Sequence, residues 1–211
     1  MNSILSLGII IFALTFCGIG NKLKGLSADN SSAANTSANG AAKTSQGSVE
    51  QPKPTAAQQA MIDSGTETTW DAQGISWKLP SGFKKMQVLK ESFNYGSPAT
   101  GFLIASISVM PDDFPSESSI DAYYTSALEQ LKQGKYENVR WLEIDGVKGV
   151  EWVEAMPEIK DGARRHQWRA CRRHLGQNQQ LNIMVSTDGD KYEARRDSFA
   201  AIMYSMKIPK G

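Results

Sequence analysis

The dipeptide Asp145-Gly146 constrains this chain more than any other feature. It separates two apolar-patterned runs, Val139–Ile144 and Val147–Met156. Asp-Gly in that setting signals a two-residue hairpin, because the turn needs positive φ at both central positions. A two-residue turn fixes register. It sets Ile144 opposite Val147, Glu143 opposite Lys148 and Arg140 opposite Glu151. Two opposite-charge pairs follow from one turn, each contributing about 0.2–1 kcal/mol.

The segments on either side extend this hairpin. A loop at 157–162 leads to an arginine-rich strand, Arg164–His174. A turn near Gly176-Gln177-Asn178 then leads to the strand Leu181–Val185. Strands joined by short loops are antiparallel, so a four-strand meander is expected. Upstream, Ile75, Trp77 and Leu79 alternate with Ser76 and Lys78, the period of a strand with one buried face. Lys84–Tyr95 reads as one or two weak strands. Gly101–Met110 is a nearly continuous apolar run, expected to be central and covered on both faces over part of its length.

Two helices complete the pattern. Ser118 with Asp121 resembles a helix-start box, Ile120, Tyr123, Tyr124, Ala127, Leu128 and Leu131 follow helical spacing, and Gly134 is a natural stop. This predicts a helix over 119–133. A second is expected over 190–205, capped by Thr187 or Asp188, with Tyr192, Phe199, Ile202, Met203 and Met206 on its apolar face. Two amphipathic helices must cover sheet faces. The expected class is α+β, a mostly antiparallel sheet flanked by two main helices.

Composition divides the chain. Residues 70–211 hold all five tryptophans and all six tyrosines and are long enough for one core. Residues 21–69, rich in Ser, Ala, Asn and Gln, cannot bury enough apolar area to offset chain entropy and read as a disordered tether. Ala56–Ile62 is the one stretch there with a helical tendency. Residues 1–20 contain an uncharged apolar run, Ile4–Ile19, shorter than the roughly 20 residues of a spanning helix. That length suits a secretory signal. The net charge of +1 provides no field for polyanions. Two cysteines, Cys17 and Cys171, exclude a disulfide framework.

Leu14-Thr15-Phe16-Cys17-Gly18 resembles a bacterial lipoprotein signal, which implies acylation of Cys17. Phe16 and the absence of an early lysine or arginine depart from that pattern. Cleavage after Gly20, releasing a soluble protein, and retention as a short anchor are the alternatives. All three place the domain outside the cytoplasm. The glycine after Cys17 implies an outer-membrane anchor facing the periplasm.

Four stretches carry a further resemblance: Ile75–Phe83, Ile120–Tyr124, Ile144–Gly149 and Ser198–Ile208. Their order and motifs resemble the PsbP/Mog/DcrB-like α/β/α sandwich over about 75–208. The group has no shared catalytic residues. Its members include photosystem accessory proteins, a Ran-binding protein and envelope lipoproteins. The resemblance therefore implies a non-enzymatic, often protein-binding, role.

The arginine strand concentrates the reactive residue types. It holds Arg164, Arg165, Arg169, Arg172 and Arg173, both histidines, and Cys171. In a strand, odd separations point to opposite faces, so Cys171 faces away from His166 and His174. The two histidines share a face but lie roughly 26 Å apart. Neither a metal site nor a Cys-His pair is expected. Arg164 and Arg172 share a face with Trp168, while Arg165, Arg169 and Arg173 line the other. The acidic run Glu151, Glu154, Glu158 and Asp161 pairs with much of this charge, and any arginine left over is a candidate partner or anion contact. The sequence thus predicts a lipid-anchored envelope domain with a non-enzymatic protein-binding or structural role, with no cofactor and no nucleic acid. The alternative is a carrier of a small anionic ligand in a sheet–helix cleft.

Overall fold

The computed structural model describes residues 47–209. Cys17, the signal segment and the first part of the tether lie outside these residues. The elements in chain order are α1 (Ala56–Ser64), β1 (Thr66–Trp70), β2 (Ile75–Leu79), β3 (Lys85–Val88), β4 (Ser92–Ser97), β5 (Gly101–Met110), α2 (Ser116–Lys132), β6 (Tyr136–Ile144), β7 (Val147–Glu154), β8 (Ala163–His174), β9 (Gln177–Asp188), α3 (Gly189–Tyr192) and α4 (Arg196–Tyr204). A 3₁₀ turn, Glu193–Arg195, joins α3 to α4.

β3 to β9 form a seven-stranded sheet in the order β3-β4-β5-β9-β8-β7-β6, and β1 and β2 form a separate hairpin. Neighbouring strands in both sheets are antiparallel. The Asp145-Gly146 turn takes φ 50° and 85°, and Ile144, Glu143 and Arg140 face Val147, Lys148 and Glu151 as the two-residue turn requires. The meander β6–β9 is present, and β5 joins it by pairing with β9. β5 alternates buried and half-buried residues, so only one of its faces is fully covered.

The larger core lies on one face of the sheet. Phe93, Leu103, Ile183, Val185 and Trp168 pack there against Trp70 and Trp77 of the β1–β2 hairpin and against Phe199 and Ile202 of α4. Trp77 stacks on Phe93 with ring centroids 4.8 Å apart. The other face carries α2, where Ile120 and Ala127 meet Trp141, Val150 and Trp152. The chain is thus an α+β sandwich with a mostly antiparallel sheet between helical layers.

Three boundaries differ from expectation. Residues 47–69 are not all tether. Glu50 bridges β6, with its N–H donating to the Trp141 carbonyl at 3.1 Å. α1 is capped by Thr55 and Gln58, each side chain accepting the other's backbone N–H. Gln58 Nε2 then donates to Asp197 Oδ1 of α4 at 2.8 Å, a tertiary bond that composition does not reveal. The second difference is that α2 starts at Ser116, three residues early, behind Pro115 and with no side-chain cap, so the Ser118–Asp121 box is not used. Its stop is as expected: Gly134 takes φ 72° and Lys135 N–H closes the end on the Gln130 carbonyl. The third is the β8–β9 turn, which is Leu175-Gly176, because His174 pairs with Gln177. The last helix is interrupted by the 3₁₀ turn, yet Tyr192, Phe199, Ile202, Met203 and Met206 are all buried.

Candidate functional site

β8 is third from one edge of the sheet, and its burial alternates residue by residue. Arg164, His166, Trp168, Ala170 and Arg172 face the larger core, and Arg165, Gln167, Arg169 and Cys171 face the α2 side. The parity expected from the sequence holds, and it gives the five arginines different environments.

Arg164 is 3% exposed and fully engaged. Its Nε donates to the Glu154 carbonyl at 2.8 Å, Nη1 to Glu193 Oε1 at 2.7 Å, and Nη2 to Glu137. The guanidinium also lies 4.2 Å over the Tyr192 ring. Arg196 closes the cluster through Glu137 and Glu193. Hydrogen bonds from Arg196 and Arg164 hold the Glu193 carboxyl down at about 2.

One row further along, Glu151 is buried at 1% exposure. His166 Nε2 stands 2.7 Å from its Oε1 and Arg140 Nε 2.5 Å from its Oε2. Burial pushes the Glu151 carboxyl up, but the bonds from His166 and Arg140 outweigh it and keep the group below its ordinary range. Arg140 also reaches Tyr204 Oη and Glu50 at 2.8 Å each. Burial, with Glu151 nearby, pushes the Tyr204 phenol up to about 12.

Trp168 separates these groups from Arg172. It is fully buried and donates from Nε1 to the Leu142 carbonyl at 3.0 Å. Gly149 of β7, opposite Ala170, makes room for it, since a Cβ there would come within 2.6 Å of the indole.

Arg172, on the same face as Arg164, meets amides in place of carboxylates. Nε donates to Gln179 Oε1 at 2.9 Å, and Nη2 donates to the carbonyl and Oε1 of Gln73 at 3.2 and 3.0 Å. Nη1 is buried without a partner among the described residues. Burial alone pushes this guanidinium down to about 10.

On the α2 side, Arg165 Nη1 donates to Glu154 Oε1 at 3.0 Å. Arg169 lies 4.3 Å over the Tyr123 ring. Arg173, at the exposed end of the strand, donates to the Gly176 carbonyl at 3.0 Å. Cys171 is half-buried, and burial raises its thiol above the ordinary value. It faces away from both histidines. Among the described residues no three His, Cys, Asp or Glu side chains converge as metal ligands.

The sheet opens beside Arg172. The β7–β8 ladder runs from Val153↔His166 to Gly149↔Ala170 and stops there, although β8 stays paired with β9 to His174. A cleft of about 630 Å³ fills the gap, lined on its strand side by Val147, Lys148, Cys171, Arg172 and Arg173 and on its helix side by Ser116 and Glu117 of α2. Sequence reasoning identified Arg172 and Arg173 but not Lys148, Gln73 or the first turn of α2. Hairpin register could have flagged Lys148, whereas nothing in the sequence singles out Gln73.

No family model matches the chain, and no curated protein matches it. Solved structures are similar at low identity. Cyanobacterial PsbP from Synechocystis is 14% identical with TM-score 0.45, over 68% of this chain and 92% of that one. LpqN of Mycobacterium tuberculosis, described as involved in cell envelope biogenesis, is 13% identical with TM-score 0.44, over 70% and 87%. The Ran-binding protein Mog1p of Saccharomyces cerevisiae is 10% identical with TM-score 0.40, over 69% and 96%. Of one further similar chain, this protein spans only 49%. PsbP and Mog1p are the two proteins after which the resemblance read from the sequence motifs is named. At these identities and scores no property of those proteins passes to this chain.

Proposed function

We propose that residues 47–209 form a non-enzymatic binding domain, carried at the cell envelope by the N-terminal segment, and that its partner is a protein docking on the α2 side of the sheet. One observation carries this reading: α2 packs chiefly over β6, β7 and β8. Beyond it, a row crosses the sheet as Gln167, Met184, Ile104 and Asn94, each directly opposite the next. These side chains and Phe102 are all half-buried, with part of each open to solvent. Partly open apolar and amide side chains on a sheet face make the kind of surface that protein interfaces use. The buried charges of β7 and β8 point the same way, because Glu151, Arg164 and His166 are taken up by structural partners.

Anchoring follows from the lipoprotein-like signal, and among the described residues no helix is long and apolar enough to cross a membrane. A photo-activatable cross-linker placed at Ile104 tests the docking face, with Thr68 on β1 as control. A discrete adduct from position 104, absent from 68, is the expected result. Equal labelling at both positions, or none, defeats this reading. A fatty-acid probe tests the anchor: the wild type incorporates it and Cys17→Ser does not.

A further inference from the structure

Three arginines of β8 point to the α2 side of the sheet, and two are accounted for. Arg165 meets Glu154 at 3.0 Å. Arg173 sits at the exposed end of the strand and is solvated there. Arg169 is half-buried, and among the described residues no carboxylate forms an ion pair with it. It rests instead on aromatic rings, 4.3 Å from the Tyr123 centroid and 5.8 Å from that of Trp152. Stacking compensates part of the cost of a half-buried cation and leaves the in-plane N–H donors free for an acceptor. The acids of α2 do not supply one: Glu117, Asp121 and Glu129 are exposed, and Glu129 is paired with Lys132.

The open face beside Arg169 supplies no carboxylate either. The row that starts at Arg169 continues as Asn182, Ser106 and Ser92. The next row is Gln167, Met184, Ile104 and Asn94, the centre of the docking face. Strand spacing and rise place the Arg169 and Ile104 backbones about 12 Å apart. A protein interface of ordinary size buries about 800 Å² on each side, a disc roughly 16 Å in radius. A partner centred on Ile104 therefore covers Arg169 and removes water from its guanidinium. A cation buried without a counter-charge opposes binding, whereas a carboxylate brought by the partner turns the same residue into an anchor. An arginine stacked on a tyrosine has the composition of an interface hot spot.

Given the docking face proposed above, on which this rests, we infer that the partner protein carries an Asp or Glu side chain that pairs with Arg169. The other residues of its docking segment are apolar or uncharged, to match the two rows.

The test uses the full chain in the cells that express it, with the photo-activatable cross-linker at Ile104, and compares adduct yield between variants. Arg169→Gln should lower the yield of the protein adduct about tenfold, the loss expected for a charged hydrogen bond. Asn182→Asp should do the same, because an isosteric carboxylate directly opposite Arg169 takes up the guanidinium within the chain. Lys78→Gln, on the β1–β2 hairpin over the other face, should leave the yield unchanged. Mass spectrometry of the adduct then locates the partner's acidic residue, and exchanging that residue for Lys should restore the adduct of Arg169→Glu. If Arg169→Gln does not fold, Asn182→Asp decides. An unchanged yield in either folded variant, or an equal loss in Lys78→Gln, overturns the inference and leaves the docking face standing. An adduct with lipid or glycan, or with a protein segment lacking Asp and Glu, also overturns it. No adduct at position 104 in the otherwise wild-type chain removes both.

Discussion

The two ends of β8 place the same residue on the same face at nearly the same depth and surround it oppositely. Arg164 lies among Glu137, Glu193 and the Glu154 carbonyl, with Tyr192 beneath it. Arg172, eight residues on, has only Gln73 and Gln179 among the described residues. The strand supplies identical local geometry at both ends, so the difference comes from what packs alongside. At the Arg164 end, β6 and the 3₁₀ turn bring carboxylates. At the Arg172 end, the β1–β2 turn brings an amide and β7 pulls away. Where charge is matched the arginine is a clamp between carboxylates, and where it is unmatched the guanidinium is held by amide and carbonyl oxygens.

The largest effect should come from breaking the matched end at its most buried point. Glu151→Ala leaves Arg140 and His166 without their shared carboxylate and should cost about 3–5 kcal/mol in denaturant unfolding. The same carboxylate gives acid sensitivity. Its folded pKa, like that of Glu193, lies below that of an ordinary glutamate. The unfolded state therefore binds protons first, and this stability is present above about pH 4.5 and is lost as pH falls through the folded values. For Glu193 that window extends down to about 2. Glu151→Gln should flatten the acid limb of the stability–pH curve, and an unchanged limb would show that other groups set it.

Gly149→Ala comes next. A Cβ there meets the Trp168 indole and the Arg169 carbonyl, both at 2.6 Å. Overpacking of this kind costs about 1–3 kcal/mol, read as a lowered denaturation midpoint with unchanged slope.

The paired arginine substitutions address the comparison directly. Arg164→Met strands Glu137 and Glu193 with only Arg196 to serve them, and should cost about 2 kcal/mol because both carboxylates keep partial access to water. Arg172→Met removes an uncompensated charge while leaving amides that can re-pair, and should change stability by less than about 1 kcal/mol in either direction. Equal losses from the two substitutions would erase the distinction between the ends. The smallest effect belongs to Arg165→Gln, a part-exposed ion pair with Glu154, at about 0.2–1 kcal/mol.

Much of β8 was legible because its logic is local. Alternation alone assigned Arg164, Trp168 and Arg172 to one face and separated Cys171 from both histidines. The acidic neighbour was legible only in part: Glu154 pairs with Arg165, but Glu151 meets His166 and Arg140, and Arg164 takes its carboxylates from Glu137 and Glu193. The start of the folded part was not. Thr55, Gln58 and the polar strand Thr66–Trp70 look like tether by composition, and only the Gln58–Asp197 bond and the pairing of β1 with β2 show otherwise. The Leu175-Gly176 turn was also missed, because it requires a leucine at φ 48°, a conformation that leucine seldom adopts. The cleft was not legible either, since it depends on β7 leaving β8 two residues after a turn that was read correctly.

By itself the sequence determined the Asp145-Gly146 hairpin, its register and the faces of β8, because turn dihedrals and the two-residue strand period are properties of neighbouring residues. Only the tertiary structure decided which arginine is neutralised. Glu137 comes 27 residues before Arg164 and Glu193 comes 29 after it. Gln73 comes 99 before Arg172. Charge matching over such separations is set by which loops the packed layers bring together, and no local pattern encodes it.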